Sequence, residues 1–230
     1  RDCPIDHRCM RAIGVKEVVA AAEALLEGSV FNEREGVRLA PAVFLDRDGT
    51  LNEEVGPLQY PEHMRPIHGA PAALKRLGEA GFLRIVVSNQ SRVARGDATE
   101  ELVEATHQRL LHLLRQEGGS TDAFYYCPHH PEEGRFPFKR TCLCRKPGPG
   151  LVQQAAHEHQ VDLTRSYVVG DQTTDLMLGH RMGLPSVLVL TGVGRATLRQ
   201  LEVAGGPRPS HVASDLLSAT EWILVRSGAK

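Results

Sequence analysis

Short apolar runs recur along this chain, and each leads within two residues to an acid, a hydroxyl or a cysteine. They fall at 42–45, 82–87, 123–126, 167–169 and 186–190. Between them lie stretches with helical spacing of apolar residues: 70–80 closed by Gly81, a helix from an N-cap at Thr99 to about 116 with Glu101 and Glu104 in its early turns, then 150–159, 176–182 and 215–225. Continuous apolar strands alternating with helices are the pattern of βαβ units, whose parallel strands are buried on both faces. The expected fold class is α/β, a mainly parallel sheet flanked by helices. Ligands of such sheets bind beyond the carboxyl ends of the strands, so the residues that follow each run are the candidates for chemistry.

The first run ends in Asp46-Arg47-Asp48-Gly49-Thr50. Two carboxylates two residues apart repel one another unless a cation or a proton shares their site. A solvated turn is the plain alternative, since Asp and Gly are ordinary turn residues. The fourth run ends in Gly170-Asp171, with Asp175 four residues on; here the plain alternative is a helix start with an acid in its first turn. Carboxylates converging from two strand ends would bind Mg²⁺, a hard ion that prefers oxygen. The second run leads into Ser88-Asn89-Gln90-Ser91, whose hydroxyl and amides suit a phosphate oxygen, and Arg145-Lys146 supplies adjacent cations just before a helix.

Of the five cysteines, three lie within 127–144 in the pattern Cys127-Pro128-His129, twelve residues, then Cys142-Leu143-Cys144. Three thiolates and an imidazole make a closed, tetrahedral Zn²⁺ site, expected to be structural. His130 is a rival to His129. The same loop carries Arg135, Lys139 and Arg140, and with Arg145 and Lys146 these cations suggest a doubly anionic substrate.

Composition narrows the alternatives. At 230 residues with 41% hydrophobic and 24% charged, the chain can bury a core without disulfides, and it lacks the apolar run of roughly 18 residues that a membrane helix needs. Lys and Arg number 27 against 28 Asp and Glu, so no overall charge draws it to nucleic acid or membrane. The start, RDCPIDHRCM, has neither an apolar export segment nor an initiator Met. A cytoplasmic monomer is the expectation, with residues 1–39 as a helical extension and linker and 40–230 as the functional domain.

Taken together, DxDGT, Ser88, Lys146 and GDxxxD, in this order at strand ends, resemble the haloacid dehalogenase superfamily of phosphotransferases over roughly 42–225. The resemblance implies a Rossmann-like, capless haloacid dehalogenase core with a zinc-binding loop, because little chain separates Thr50 from Ser88. It implies that Asp46 is the nucleophile and Asp48 the general acid and base. Mg²⁺ would lie between Asp46, Asp171 and the Asp48 carbonyl, with Asp175 orienting these ligands. Ser88 and Lys146 would hold phosphoryl oxygens, and Thr50, Asn89, Gln90, Ser91 and Arg145 would bind substrate.

FLDRDGTLN, SNQSRVARG, YYCPHHP, CLCRKPGPG and VVGD narrow the resemblance to the heptose-bisphosphate phosphatase branch, which acts on a small-molecule sugar bisphosphate. Histidinol-phosphate phosphatases share the zinc loop with a much shorter interval, and they or phosphatases of other small phosphomonoesters are the alternative. Gln172 departs from the family's Lys, Arg92 from its Gly, Pro57 from its Tyr and Ser88 from its more frequent Thr, which puts the exact sugar in doubt. Residues 1–27 resemble the C-terminal tail of heptosyltransferase-like glycosyltransferases and imply a fusion behind such an enzyme; an ordinary N-terminal helix is equally compatible. A third reading is a non-catalytic, zinc-stabilised partner domain of such a fusion.

Overall fold

The computed structural model describes residues 39–53 and 61–228, all within one compact unit, Leu39–Lys230. The expectations for residues 1–38 and for Pro57 lie outside the described residues. Six strands, β1 (Ala42–Leu45), β2 (Leu83–Asn89), β3 (Ala123–Cys127), β4 (Tyr167–Gly170), β5 (Ser186–Val189) and β6 (His211–Ala213), form one sheet in the order β3-β2-β1-β4-β5-β6. Every pairing is parallel. The helices are α1 (Ala70–Glu79), α2 (Arg92–Arg95), α3 (Glu100–Gln116), α4 (Gly150–Glu158), α5 (Thr173–Met182), α6 (Gly194–Ala204) and α7 (Leu216–Ser227).

Side chains alternate across a strand, and here the alternation divides the core in two. Val43, Leu45, Val86, Val169 and Val187 face Leu74 and Leu77 of α1, Leu110 and Leu114 of α3, and Ile223 of α7. Phe44, Ile85, Val87 and Val168 face Leu151 and Val152 of α4 and Leu178 of α5. Both faces are covered, which is why these strands read as unbroken apolar runs. Among the described residues no helix is long and apolar enough to cross a membrane.

Local chemistry sets the helix starts. Thr99 caps α3 by accepting from the Leu102 N–H at 3.2 Å, and Asp215 caps α7 by accepting from Ser218 at 2.8 Å. At α5, Gln172 and Asp175 form a capping box, so the helix begins at Thr173, three residues before the expected start. Strand β2 runs on through Ser88 and Asn89, which pair with Tyr126 and Cys127 of β3, instead of ending at Val87. Three elements were not anticipated. Helix α2 is a single turn, α6 buries only Gly194 and Thr197, and β6 is a three-residue edge strand. Helix α2 and strand β6 are too short to carry a period, whereas α6 is amphipathic over 11 residues and the sequence reading passed over it.

The chain builds β2 and β3 outward on one side of β1, then crosses to place β4 on the other. The strands β1 and β4 stay paired, but the connections that leave them run to opposite sides, and a crevice lies between those connections at the carboxyl ends. Asp46 continues β1 there, its N–H bonded to the Val169 carbonyl at 2.9 Å. Asp171 follows β4 directly.

Candidate active site

Topology brings Asp46, Asp171 and Asp175 together, each offering an oxygen within 4.8 Å of the others'. All three are buried. Lys146 reaches them from the loop before α4, with Nζ 2.9 Å from Asp46 Oδ1 and 2.7 Å from Asp175 Oδ1. Burial opposes the charge on Lys146, yet Asp175 and Asp46 hold its pKa above the ordinary lysine value. Burial also drives Asp46 up to about 6, against the pull of Lys146 and with the repulsion of Asp175 and Asp48 adding to it.

Both oxygens of Asp175 are committed, Oδ1 to Lys146 and Oδ2 to the Gln172 N–H at 3.1 Å. The helix-start reading of this acid and its place in the cluster thus hold at once. Asp171 is fixed by the turn after β5: Oδ2 accepts from the Val193 N–H at 2.8 Å, and its carbonyl accepts from the Thr197 hydroxyl at 2.7 Å. Gly49 and Gly192 close around it, and a Cβ on either would stand 2.2 Å from Asp171 Oδ2.

The Asp48 carboxylate lies apart from this cluster. Arg47 grips it with Nε and Nη2, the shortest contact 2.7 Å, while Asn52 donates to Oδ1 at 3.0 Å and Gln90 to Oδ2 at 2.9 Å. Burial works against ionisation here, but Arg47, Asn52 and Gln90 outweigh it and hold the group down at about 2. The Gln90 amide also donates to Ser88 Oγ at 2.9 Å, so one side chain joins the first and second strand ends. Thr50 is fully buried, and its hydroxyl has no hydrogen-bond partner among the described residues. Ser91 precedes α2 without capping it through its side chain, and Arg145 donates to the His129 carbonyl at 3.2 Å. Asn89 turns both ends of its carboxamide onto the main chain of Lys146.

The second cluster joins Cys127 at the end of β3 to His129, Cys142 and Cys144. Cys144 Sγ lies 3.2 Å from Cys127 Sγ and 3.1 Å from Cys142 Sγ, and His129 Nδ1 lies 3.3 Å from Cys144 Sγ. Three free thiols and an imidazole converging on one point suit a tetrahedral soft-metal site. Burial, with Arg140 adding to it, lowers the His129 pKa and favours the neutral ligand form. His130 is engaged elsewhere, its Nδ1 accepting from the Glu132 and Glu133 N–H groups at 3.3 and 2.9 Å. Of the cations expected near the crevice, Arg135, Lys139 and Arg140 are exposed, and only Lys146 reaches the carboxylates.

Sequence reasoning did not single out Arg47, Asn52 or His107. Asn52 stands four residues after Asp48, a spacing that a closer reading of the loop could have used. His107 sits on α3, stacked on Phe124 at 4.8 Å, and burial followed by the charge of Arg47 lowers its pKa to about 3. A histidine on an apolar helix face gives no sequence signal of such a neighbour.

A parallel sheet with an Asp-Arg-Asp-Gly-Thr turn after β1, a Gly-Asp turn after the neighbouring β4 and a buried lysine between them defines a haloacid dehalogenase-like phosphohydrolase. A HAD-hydrolase-like family model matches residues 143–219. The D-glycero-D-manno-heptose-1,7-bisphosphate 7-phosphatase of Thermosynechococcus vestitus is 41% identical over 187 residues, covering 80% of this chain and 95% of that protein. The D-glycero-beta-D-manno-heptose-1,7-bisphosphate 7-phosphatase of Escherichia coli K12 is 38% identical over 153 residues, 66% of this chain and 80% of that one. The crystal structure of D,D-heptose 1,7-bisphosphate phosphatase from B. bronchiseptica, complexed with magnesium and phosphate, superposes with a TM-score of 0.71 at 34% identity, covering 81% of this chain and 99% of that one. The chain belongs to the family of D-glycero-D-manno-heptose-1,7-bisphosphate 7-phosphatases, which are phosphomonoester hydrolases.

Proposed function

We propose that the chain hydrolyses the 7-phosphate of D-glycero-D-manno-heptose 1,7-bisphosphate through an aspartyl-phosphate on Asp46. The observation that carries this reading is the buried triad Asp46, Asp171 and Asp175 with Lys146 bridging two of its members. An oxygen of Asp46 attacks phosphorus, the bond to the sugar oxygen breaks, and Asp48 gives that oxygen its proton. Asp48 then takes a proton from the water that attacks the acyl-phosphate, releasing inorganic phosphate and restoring Asp46. The hydrogen bonds that hold Asp48 ionised suit the second half of this cycle. For the first half Asp48 has to carry a proton, which the grip of Arg47, Asn52 and Gln90 opposes in the substrate-free site. Lys146 and the Ser88 hydroxyl hold the equatorial oxygens as charge spreads over them. Thr50, Gln90, Ser91 and Arg145 contribute to substrate binding.

Three clustered carboxylate oxygens fit Mg²⁺, with Asp46, Asp171 and the Asp48 carbonyl as its ligands and Asp175 steadying the set. Bound there, the ion would neutralise the nucleophile and the phosphoryl group so that they can approach. Cys127, His129, Cys142 and Cys144 fit a structural Zn²⁺ that orders the loop leading to Lys146.

Phosphate release from heptose 1,7-bisphosphate, fructose 1,6-bisphosphate and histidinol phosphate, each with and without Mg²⁺, tests the reading. Preference for the heptose substrate and dependence on Mg²⁺ are expected. Preference for histidinol phosphate overturns the substrate, and silence on all three from folded protein overturns the activity.

A further inference from the structure

We infer that Asn89 is a positioning residue for Lys146: its carboxamide holds the main chain of that lysine in place from the end of the neighbouring strand. The inference rests on the reading of Lys146 as the group that holds the transferring phosphoryl oxygens. Asn89 Oδ1 accepts the Lys146 N–H at 2.9 Å, and Asn89 Nδ2 donates to the Lys146 carbonyl at 3.0 Å. A carboxamide carries a donor and an acceptor on one rigid plane, as a peptide group does. Paired with both polar groups of a single residue, it resists sliding and rotation of that residue together. Asn89 thereby acts as one further rung beyond the ladder.

Lys146 needs such a hold. It lies in a stretch with no regular secondary structure between Cys144 of the thiol cluster and the start of α4 at Gly150. Among the described residues no strand pairs with its backbone, yet its long flexible stem has to deliver Nζ between Asp46 and Asp175. The clamp itself is well anchored. Asn89 closes β2 in register with Cys127, whose sulfur belongs to the thiol cluster, and the Gln90 N–H that follows bonds to the Cys127 carbonyl at 2.8 Å. Hydrogen bonds and strand register thus tie the lysine to the strand end and the thiol cluster. Other side chains fall short. Asp offers no donor, Ser makes one contact at a time, and Gln is a methylene too long. This assignment differs from the substrate-binding role expected for Asn89 from the sequence.

A double-mutant cycle decides it. Turnover of heptose 1,7-bisphosphate and binding of inorganic phosphate by calorimetry in Mg²⁺ are measured for Asn89→Ala, Lys146→Ala and the double variant. Misplacing a catalytic group by about 1 Å can cost a hundredfold, so Asn89→Ala should lower kcat between about tenfold and a hundredfold with KM changed less than about threefold. In the Lys146→Ala background the same substitution should cost less than about twofold in turnover and in phosphate affinity. Losses that multiply overturn the positioning role and return Asn89 to the substrate. If Lys146→Ala keeps full turnover, the reading of the lysine falls and this inference with it. Asn89→Asp, which keeps the volume and the acceptor but not the donor, takes the place of the alanine variant if that one fails to fold.

Discussion

Lys146 Nζ stands 2.9 Å from Asp46 Oδ1 with both side chains buried, so a lysine and the candidate nucleophile share one charge-compensated site. Removing one partner of a buried ion pair typically costs about 3–5 kcal/mol, because the other charge stays buried. Lys146→Met should therefore destabilise the Mg²⁺-free protein by about 3 kcal/mol at pH 7.5 in urea unfolding. The loss should shrink at pH 5, where Asp46, already raised to about 6, takes up a proton. Turnover should fall by two to three orders of magnitude or about that. An equal loss of stability at both pH values would show that the lysine does not compensate Asp46.

Two buried groups should oppose each other in the pH dependence of stability. The folded pKa of Asp46 is raised from 3.8 to about 6, so its contribution is fully present below pH 3.8 and is lost as pH rises through 6. The folded pKa of His107 is lowered from 6.5 to about 3, so its contribution is fully present above pH 6.5 and is lost as pH falls through 3. The folded pKa of Asp48 is lowered from 3.8 to about 2, so its contribution is fully present above pH 3.8 and is lost as pH falls through 2. Between roughly pH 4 and 6 each group has a slope of up to about 1.4 kcal/mol per pH unit, with opposite signs. The pair should nearly cancel in Mg²⁺-free buffer. His107→Phe should then gain stability relative to the parent as pH falls, and Asp46→Asn should lose it. Denaturant midpoints at pH 4.5, 6 and 7.5 measure this, and curves parallel to the parent for both variants would refute it.

Cys144→Ser should empty the thiol cluster, since three ligands hold a structural zinc far less well than four. Bound zinc should drop from about one equivalent to well under half, with a loss of several degrees in Tm. Turnover should fall in parallel, because Lys146 lies two residues beyond the lost sulfur. Metal analysis and a thermal scan on the same sample give the answer, and unchanged zinc content would remove Cys144 from the ligand set.

Gly49→Ala separates backbone strain from damage to the site. Gly49 has φ +75°, and an added Cβ would lie 2.2 Å from Asp171 Oδ2. Gly96 at φ +82° has nothing within 4 Å of such a Cβ. Both substitutions should cost about 1–2 kcal/mol for the left-handed conformation. Only Gly49→Ala should also depress turnover, by about a hundredfold or more, and weaken activation by Mg²⁺. Equal activity in the two variants would mean that Asp171 tolerates displacement.

Much of this protein can be read directly from the chain. Val43, Leu45 and Val169 with Phe44 and Val168 form runs apolar on both faces, and their alternation with helical stretches points to a covered parallel sheet. Since ligands of such a sheet gather at its strand ends, Asp46, Asp48, Asp171 and Asp175 declare themselves by where the runs stop. The spacing of Cys127, His129, Cys142 and Cys144 is equally plain, because soft ligands rarely cluster without a metal.

Tertiary structure alone decided which of these groups touch. Asn89 and Lys146 are far apart in sequence, and nothing in either segment foretells a two-point bond between a strand end and an irregular loop. Nor does the run Asp-Arg-Asp reveal that Arg47 folds back onto Asp48 and helps hold it at about 2, while burial raises its near neighbour Asp46 to about 6. The physical reason is common to both. Periodicity and strand ends are local properties written in the order of residues, whereas a pKa or a hydrogen bond depends on which distant groups the crossing of β4 to the far side of β1 brings within reach.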